Sequence, residues 1–359
     1  MRALIVAGGT GGHVIPGIAI AQDLRTMHDC QCLFVGTARG MESRLVPQAG
    51  FELMLIEASG FKGMGLLRRL RSLLLVPRSA LRCLRILRDF RPQVVISVGG
   101  YASGPVMLAA WWRRVPALIF EPNVVPGLAN RIAARFAKAA AVHFEQTGRW
   151  FRSYEVTGVP VRKEFFEVAP RPTGPTSRLF VFGGSQGSHI LNETMTGSLS
   201  ALRERVPGLS IIHQTGEREY EAVRRAYDAA AIPATVAPFI PMEKMPATFA
   251  DADLVVCRSG ASTVAEVAAA GRAAVFIPFA AAADQHQLRN AELLASRAAA
   301  ELIPESELTT ERFVETVAGL LNDPKRRAAM AAAARTLAHP GAAAHIGRMA
   351  KQLAMSDKQ

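Results

Sequence analysis

The chain has 359 residues, 50% of them hydrophobic and 20% charged, a globular composition with room for two domains, each with its own core. Its formal net charge of +12 points to anionic partners: nucleic acid, a phospholipid surface or phosphorylated substrates. The four cysteines, Cys30, Cys32, Cys83 and Cys257, form no C-x-x-C pair, and no apolar run reaches the ~18 residues of a bilayer span, which argues against a zinc or disulfide framework and against a transmembrane helix.

In chain order, one pattern repeats: short apolar strand, glycine or proline punctuation, amphipathic helix. MRALIVAGG leads straight into a glycine loop, so it reads as a first strand rather than a signal peptide, and the expected compartment is the cytoplasm. CQCLFVG, QVVISVGG and ALIFEPN read as further strands with helices between them. A second start comes at SRLFVFGGSQGSHILNETM, Ser177 to Met195, followed by LSIIHQTG, ATVAPFI, ADLVVCRSG and AAVFIPF. The Pro- and Gly-rich stretch from Val156 to Ser177 reads as the linker. The expected fold is α/β: two Rossmann-like domains facing across a cleft, residues 1–160 and 161–339, with ligands outside the carboxyl ends of the strands.

The first loop, GGTGGH, is not a dinucleotide fingerprint. Gly9 and Gly11 fit G-x-G-x-x-G, but Val14 takes the third glycine position, and the second strand ends in Gly36 and Thr37 with no acid to hold a ribose. What survives is the general device of backbone N–H groups at a helix N-terminus aimed at anionic oxygen.

CRSGASTVAEVAAAG, Cys257 to Gly271, follows a strand and opens a helix. Gly260 allows a tight turn, and Ser262 and Thr263 offer hydroxyls beside exposed N–H groups. Glu266, three residues past Thr263, has either a capping-box spacing or the two oxygens that a ribose diol needs. The cluster Asp284, Gln285, His286 and Gln287 suits either sugar hydroxyls or helix capping. Asp251 to Asp253 reads as capping or strand entry rather than a metal site.

Between Lys62 and Arg91 nine basic residues stand against Asp89 alone, nine minus one or +8, with leucines interleaved. Pro77 divides two helices, and Arg78, Arg82 and Arg85 share one helical face. With Trp111 and Trp112, this region is expected to dock on an anionic membrane leaflet; the alternative is a solvated basic face. No nucleic-acid motif is present, so nucleic acid is not an expected partner.

Taken in order, GGTGGHVIPGIAIA, GGYASGPVMLAA, EPNVVPGLANRI, TGVPVR, FGGSQGSHILN, APFI and CRSGASTVAEVAAAGRAAVFIPF with DQHQLRNA resemble the bacterial MurG family of peptidoglycan glycosyltransferases over nearly the whole chain. The resemblance implies the GT-B fold, a C-terminal helix (~340–359) packing back on the first domain, and a place at the cytoplasmic face of the inner membrane as a peripheral protein. It also implies transfer of N-acetylglucosamine from UDP-GlcNAc to undecaprenyl-diphosphate-linked muramyl-pentapeptide, in cell-wall synthesis and hence cell shape and division. The other readings are a different UDP-sugar enzyme on this fold, such as a UDP-GlcNAc 2-epimerase or a transferase with a different acceptor, and a non-enzymatic membrane-docking module.

On the matching positions, the resemblance implies that Ile240 meets uracil through its backbone and Glu266 takes the ribose hydroxyls. Ser185, Arg162 and Ala261, Ser262 and Thr263, continuing into Val264 and Ala265, surround the diphosphate. Gln287 and Asn123 meet the sugar, bordered by Thr10, Gly11 and Gly12. Gly99, Gly100, Tyr101, Ser103 and Glu121 are the candidates for holding the acceptor. His13, behind the first loop, is expected to be the general base on the muramyl 4-OH, because imidazole titrates near neutrality and a helix N-terminus keeps it neutral; the alternative is a structural hydrogen bond. No cofactor or metal is expected. The chain departs from the family at FEPN, Phe120 to Asn123, where polar support is thinner, and in the alanines between Phe279 and Asp284.

Overall fold

The computed structural model describes residues 1–9, 11–38, 40–57, 79–171, 174 and 176–356. Thr10 and the Lys62–Arg78 part of the basic region therefore lie outside the described residues. The chain divides into two compact units, Met1–Pro160 with Gly341–Gln359, and Val161–Pro340.

The first unit is a seven-stranded parallel sheet made of β1 (Arg2–Ala7), β2 (Gln31–Gly36), β3 (Glu52–Leu55), β4 (Val94–Gly99), β5 (Ala117–Glu121), β6 (Ala139–Val142) and β7 (Tyr154–Val156), in the order β3-β2-β1-β4-β5-β6-β7. Parallel strands need crossovers, and helices on both faces bury the sheet, which is why β1 after Arg2 is continuously apolar and β4 is apolar but for the buried Ser97. On one face Leu4, Val6, Leu33 and Val95 meet Val106, Met107 and Ala110 of the helix Ser103–Trp112. On the other the helix Gly11–His28 comes so close that a Cβ at Gly17 would stand 3.1 Å from Ala7 Cβ. The C-terminal helix Ala342–Ser356 packs against that helix and against β4 and β5. His345 Nε2 and Glu155 Oε2, 2.7 Å apart, tie it to β7.

The second unit is a six-stranded parallel sheet of β8 (Arg178–Phe182), β9 (Ser210–Gln214), β10 (Ala234–Ala237), β11 (Leu254–Cys257), β12 (Ala274–Phe276) and β13 (Glu301–Leu302), in the order β10-β9-β8-β11-β12-β13. Its core joins Leu179, Val181, Val256 and Val275 to Met195, Leu199, Phe313 and Val317 from the flanking helices. Phe180, Phe182 and Phe165 surround Phe249 on the opposite face. A fully buried side chain of this size contributes about 2–3 kcal/mol.

Both sheets are doubly wound, and both reverse strand order beside their first strand, between β1 and β4 and between β8 and β11. Crevices at such reversals, outside the carboxyl ends of the strands, bind ligands. The glycine loops of the sequence stand at these two places.

Candidate functional site

In the first unit, the loop after β1 and the loop after β4 touch. Gly99 and Gly100 have φ of +109° and +91°, which only glycine adopts without strain. A Cβ on Gly100 would run into the Gly8 carbonyl, so the absence of a side chain is what lets the two loops meet. His13, the third residue of the helix Gly11–His28, lies half-buried over Gly99: a Cβ there would be 2.9 Å from His13 Cδ2 and 3.0 Å from Nε2. Ser103 opens the helix after the second loop, and its Oγ is buried without a protein partner. Tyr101, in contrast, is exposed.

Glu121 ends β5 and is buried. It collects four N–H donors: Asn123 N (3.0 Å) and Nδ2 (3.1 Å) on Oε1, and Gly127 N (3.2 Å) and Asn130 Nδ2 (2.9 Å) on Oε2. Burial raises its pKa, and the hydrogen bonds from Asn130, Asn123 and Gly127 oppose the shift. Glu121 is thus the internal organiser of the loop that carries Asn123, whose carbonyl accepts from Thr147 Oγ1 at 3.0 Å. Asn130 was not singled out in the sequence; it sits in a helical turn and finds Glu121 only through the folded loop.

In the second unit, four loops gather at the carboxyl ends of β8, β10, β11 and β12. The first spans Gly183 to Ser188, with φ of +92° at Gly184 and +73° at Gly187, and leaves Ser185 exposed. Gln214, the last residue of β9, links two of the loops: its Nε2 donates to Gly184 O (2.9 Å) and its Oε1 accepts from Ile240 N (2.8 Å). The Ile240 N–H is therefore already paired inside the protein, which leaves the carbonyl as the backbone group to offer a base.

The helix Ala261–Ala270 starts from an extended Gly260, with no side-chain cap. The capping-box reading of Glu266 is thereby set aside, because Glu266 lies well inside the helix. Burial raises its pKa to about 7, and the Arg162 guanidinium works against the shift. Arg162 lies over the Phe165 ring at 5.3 Å. Ser262 Oγ is buried at this helix N-terminus without a protein partner. Ala261, Val264 and Ala265 are buried, so any contact they make comes from the backbone.

The helix His286–Ala295 follows Gln285 with no side-chain cap from that residue, and both Asp284 and Gln285 adopt positive φ. Gln287 Oε1 accepts from Phe279 N (3.0 Å), and its carbonyl accepts from Ser259 Oγ (2.8 Å). Asp253 accepts from Arg178 N (2.8 Å) and pairs with Arg171, a strand-entry role.

Arg258 stood inside a quoted motif without a role. It donates to Ile277 O (3.0 Å) and Ser188 Oγ (2.8 Å), pairs with Glu305, and lies 5.3 Å from the Phe279 ring. Glu305 in turn accepts from Ala280 N at 3.1 Å. The pair fixes the loops after β8 and β12, and nothing in the spacing of Arg258 and Glu305 announces it.

Chemically, the first unit offers an imidazole over a glycine floor, and the second a half-buried carboxylate, a guanidinium and an open helix N-terminus. Among the described residues no group of three or more His, Cys, Asp or Glu side chains is placed to hold a metal ion. The second set suits a ribose diol joined to a diphosphate.

Comparison with known proteins identifies the family. Residues 3–142 match the glycosyltransferase family 28 N-terminal domain and residues 178–346 its C-terminal domain. A relative from Anaeromyxobacter dehalogenans, named UDP-N-acetylglucosamine–N-acetylmuramyl-(pentapeptide) pyrophosphoryl-undecaprenol N-acetylglucosamine transferase, is 44% identical over 98% of this chain and 93% of its own. One of the same name from Solibacter usitatus is 42% identical over 98% of this chain and 96% of its own. The crystal structure of MurG from Acinetobacter baumannii superposes with a TM-score of 0.82 at 32% identity, over 98% of this chain and all of that one. A UDP-GlcNAc 2-epimerase from Neisseria meningitidis, at 12% identity and a TM-score of 0.69 over 98% of this chain and all of its own, shares the fold alone. The chain belongs to glycosyltransferase family 28 and, within it, to the MurG N-acetylglucosaminyltransferases, on the GT-B fold of two Rossmann-like domains.

Proposed function

We infer that this chain transfers N-acetylglucosamine from UDP-GlcNAc to the muramyl 4-OH of undecaprenyl-diphosphate-linked muramyl-pentapeptide, converting lipid I into lipid II in peptidoglycan synthesis. The observation that carries this reading is 44% identity, over 98% of the chain, to a relative named for that transfer.

The transfer makes a bond from the acceptor oxygen to the sugar C1 and breaks the bond from C1 to the UDP phosphate. The acceptor hydroxyl loses a proton, which His13 takes as general base. The departing UDP gains negative charge, met by Arg162, by the N–H groups that open the helix Ala261–Ala270 and by the Ser262 hydroxyl. Within the second unit Glu266 accepts both ribose hydroxyls, the Ile240 carbonyl takes the uracil N–H, and Gln287 borders the sugar. Gly99, Gly100 and Ser103 hold the acceptor. No metal is needed, because the protein's own cation and N–H donors carry the leaving-group charge.

No helix among the described residues is long and apolar enough to cross a membrane. The lipid-linked acceptor nevertheless calls for a surface that reaches one, and we propose peripheral docking on the anionic cytoplasmic leaflet. Trp111 and Trp112 are 53% and 70% exposed, and Leu108, Leu128 and Ile132 are exposed on the same pair of packed helices. Arg113, Arg114, Arg135 and Arg149 stand exposed on these and the neighbouring segments. Arg82, Arg85, Arg88 and Arg91 are exposed as well, whereas Cys83, Ile86 and Leu87 of the same helix are in the core. Apolar anchors ringed by arginines suit a headgroup layer.

The test is UDP release from the purified protein with UDP-GlcNAc and a lipid I analogue, beside His13→Ala. Acceptor-dependent release that collapses in the variant, with donor binding retained, is expected. Release without acceptor together with an altered free sugar would replace the reading with an epimerase.

A further inference from the structure

A carboxylate with no part in the transfer holds the first glycine loop from below. Glu42 opens the short helix Glu42–Gln48, and its side chain turns back beneath the loop and is fully buried. Oε2 accepts from Gly9 N at 2.9 Å. Oε1 accepts from Thr37 N at 2.8 Å and from Thr37 Oγ1 at 2.9 Å. Glycines make the room: a Cβ at Gly36 or Gly40 would run into the Glu42 side chain, and one at Gly8 would stand 3.1 Å from Oε1. Met41 N closes the arrangement on Gly9 O at 3.2 Å.

The contacts continue upward. The Gly8 backbone is the surface on which Gly100 packs, and Gly99 beside it is the floor under His13. The position of the imidazole thus depends, through two glycine turns, on a buried carboxyl group whose donors are all backbone or threonine groups. The same geometry has a chemical consequence. The Gly9 N–H is already given to a Glu42 oxygen, so it is not open to a phosphate, and this part of the loop is suited to placing a base.

We propose that Glu42 is a positioning residue for His13, fixing the Gly8–Gly9 turn so that the imidazole meets the acceptor hydroxyl. The proposal rests on the reading of His13 as general base. It also assigns an acid to the end of β2, where the sequence shows none: Glu42 reaches Thr37 from farther along the chain, but buried and turned toward the loop, unlike a ribose-binding acid.

The experiment is a double-mutant cycle on the full chain, with wild type, Glu42→Gln, His13→Ala and the double variant. The rate of sugar transfer from radiolabelled UDP-GlcNAc to a lipid I analogue is measured, so that residual rates can be read. Glutamine keeps the size of the side chain but turns an amide N–H₂ toward an N–H donor. Glu42→Gln is expected to lower kcat about 10–100-fold, to leave KM for UDP-GlcNAc within about 2-fold, and to slow His13→Ala by less than about 2-fold. Equal slowing in both backgrounds, or an unchanged kcat in Glu42→Gln, overturns the proposal. Should Glu42→Gln fail to fold, Thr37→Val carries the same comparison, because it removes only the hydroxyl bond; a kcat loss of about 3–10-fold that disappears in the His13→Ala background is expected, and an equal loss in both overturns the proposal. An inactive wild type, or a His13→Ala protein as fast as wild type, instead overturns the reading beneath it.

Discussion

The edge of the His13 imidazole rests on the backbone of Gly99, with only 2.9 Å between its Cδ2 and the place where a Cβ on Gly99 would stand. Gly99 also has φ +109°, so an alanine there both strains the backbone and lifts the imidazole. A displacement of about an ångström at a catalytic base can cost on the order of 100-fold in rate. Gly99→Ala is therefore expected to lower kcat about 10–100-fold while donor KM, set by the second unit, stays within about 2-fold. Steady-state kinetics at saturating acceptor measure the split.

Glu266 sets a pH dependence whose sign can be worked out. Its pKa in the folded protein is raised to about 7, by burial and against the pull of Arg162. In the unfolded chain a glutamate titrates near ~4.3. Between these values the folded state holds the extra proton, so the stabilising contribution is full below the lower value and is lost as pH rises through the upper one. Donor binding runs the other way, since two ribose hydroxyls need an ionised acceptor. KM for UDP-GlcNAc is expected to rise as pH falls below 7, approaching about tenfold per unit. Glu266→Gln should bind the donor more weakly at pH 8 and lose this pH dependence. Donor titrations between pH 5.5 and 8.5 check both.

Glu121 answers to four N–H donors, so its removal strands them in a buried loop. Glu121→Ala is expected to cost roughly 3–5 kcal/mol of stability, and Glu121→Gln less, since one oxygen remains. Urea unfolding reads the difference. A cost near zero would show that the donors find other partners.

If Arg162 and the open helix N-terminus carry the leaving-group charge, removal of divalent cations leaves the reaction running. Rates in excess EDTA are expected to match those with added magnesium. Arg162→Met should lower kcat about 10–1000-fold. A rate lost in EDTA and restored by one metal would assign that charge to the metal.

For the membrane surface, flotation with vesicles of phosphatidylglycerol and phosphatidylcholine should recover the protein, and pure phosphatidylcholine should recover less. High salt weakens the arginine part, since exposed charges are screened. Trp112→Ala, which removes the most exposed aromatic side chain of the patch, is expected to reduce recovery at all salt concentrations. Equal recovery on both vesicle types, unaffected by salt, would remove the electrostatic part.

The features legible in the sequence are those built from neighbours in the chain. A strand running into glycines and out into a helix is a local event, so both glycine-loop starts, at Gly8 and Gly183, are readable as such, and their repetition gives two doubly wound sheets. His13 lies within the first of these segments, and Ser262, Glu266 and Gln287 lie in the strand–turn–helix stretches after β11 and β12, each readable from its own neighbours in the chain. The spacing at Glu266 left a capping box open, and only the helix start after Gly260 shows that Glu266 lies too far inside to cap it.

Only the tertiary structure decides which polar groups are already in use. Glu42 meets Gly9 across 33 residues, Arg258 meets Glu305 across 47, and Gln214 joins Gly184 to Ile240 from the end of another strand. No spacing rule encodes such pairs, because their geometry is set by the order in which parallel strands lie in the sheet. The same holds for Glu121, a candidate ligand by type, which the fold makes an internal organiser. A buried polar group must be paired, and its partner is chosen by packing rather than by sequence proximity. Local chain chemistry therefore determined where the glycine loops stand in each unit, and the tertiary packing determined which polar side chains beside them are already paired.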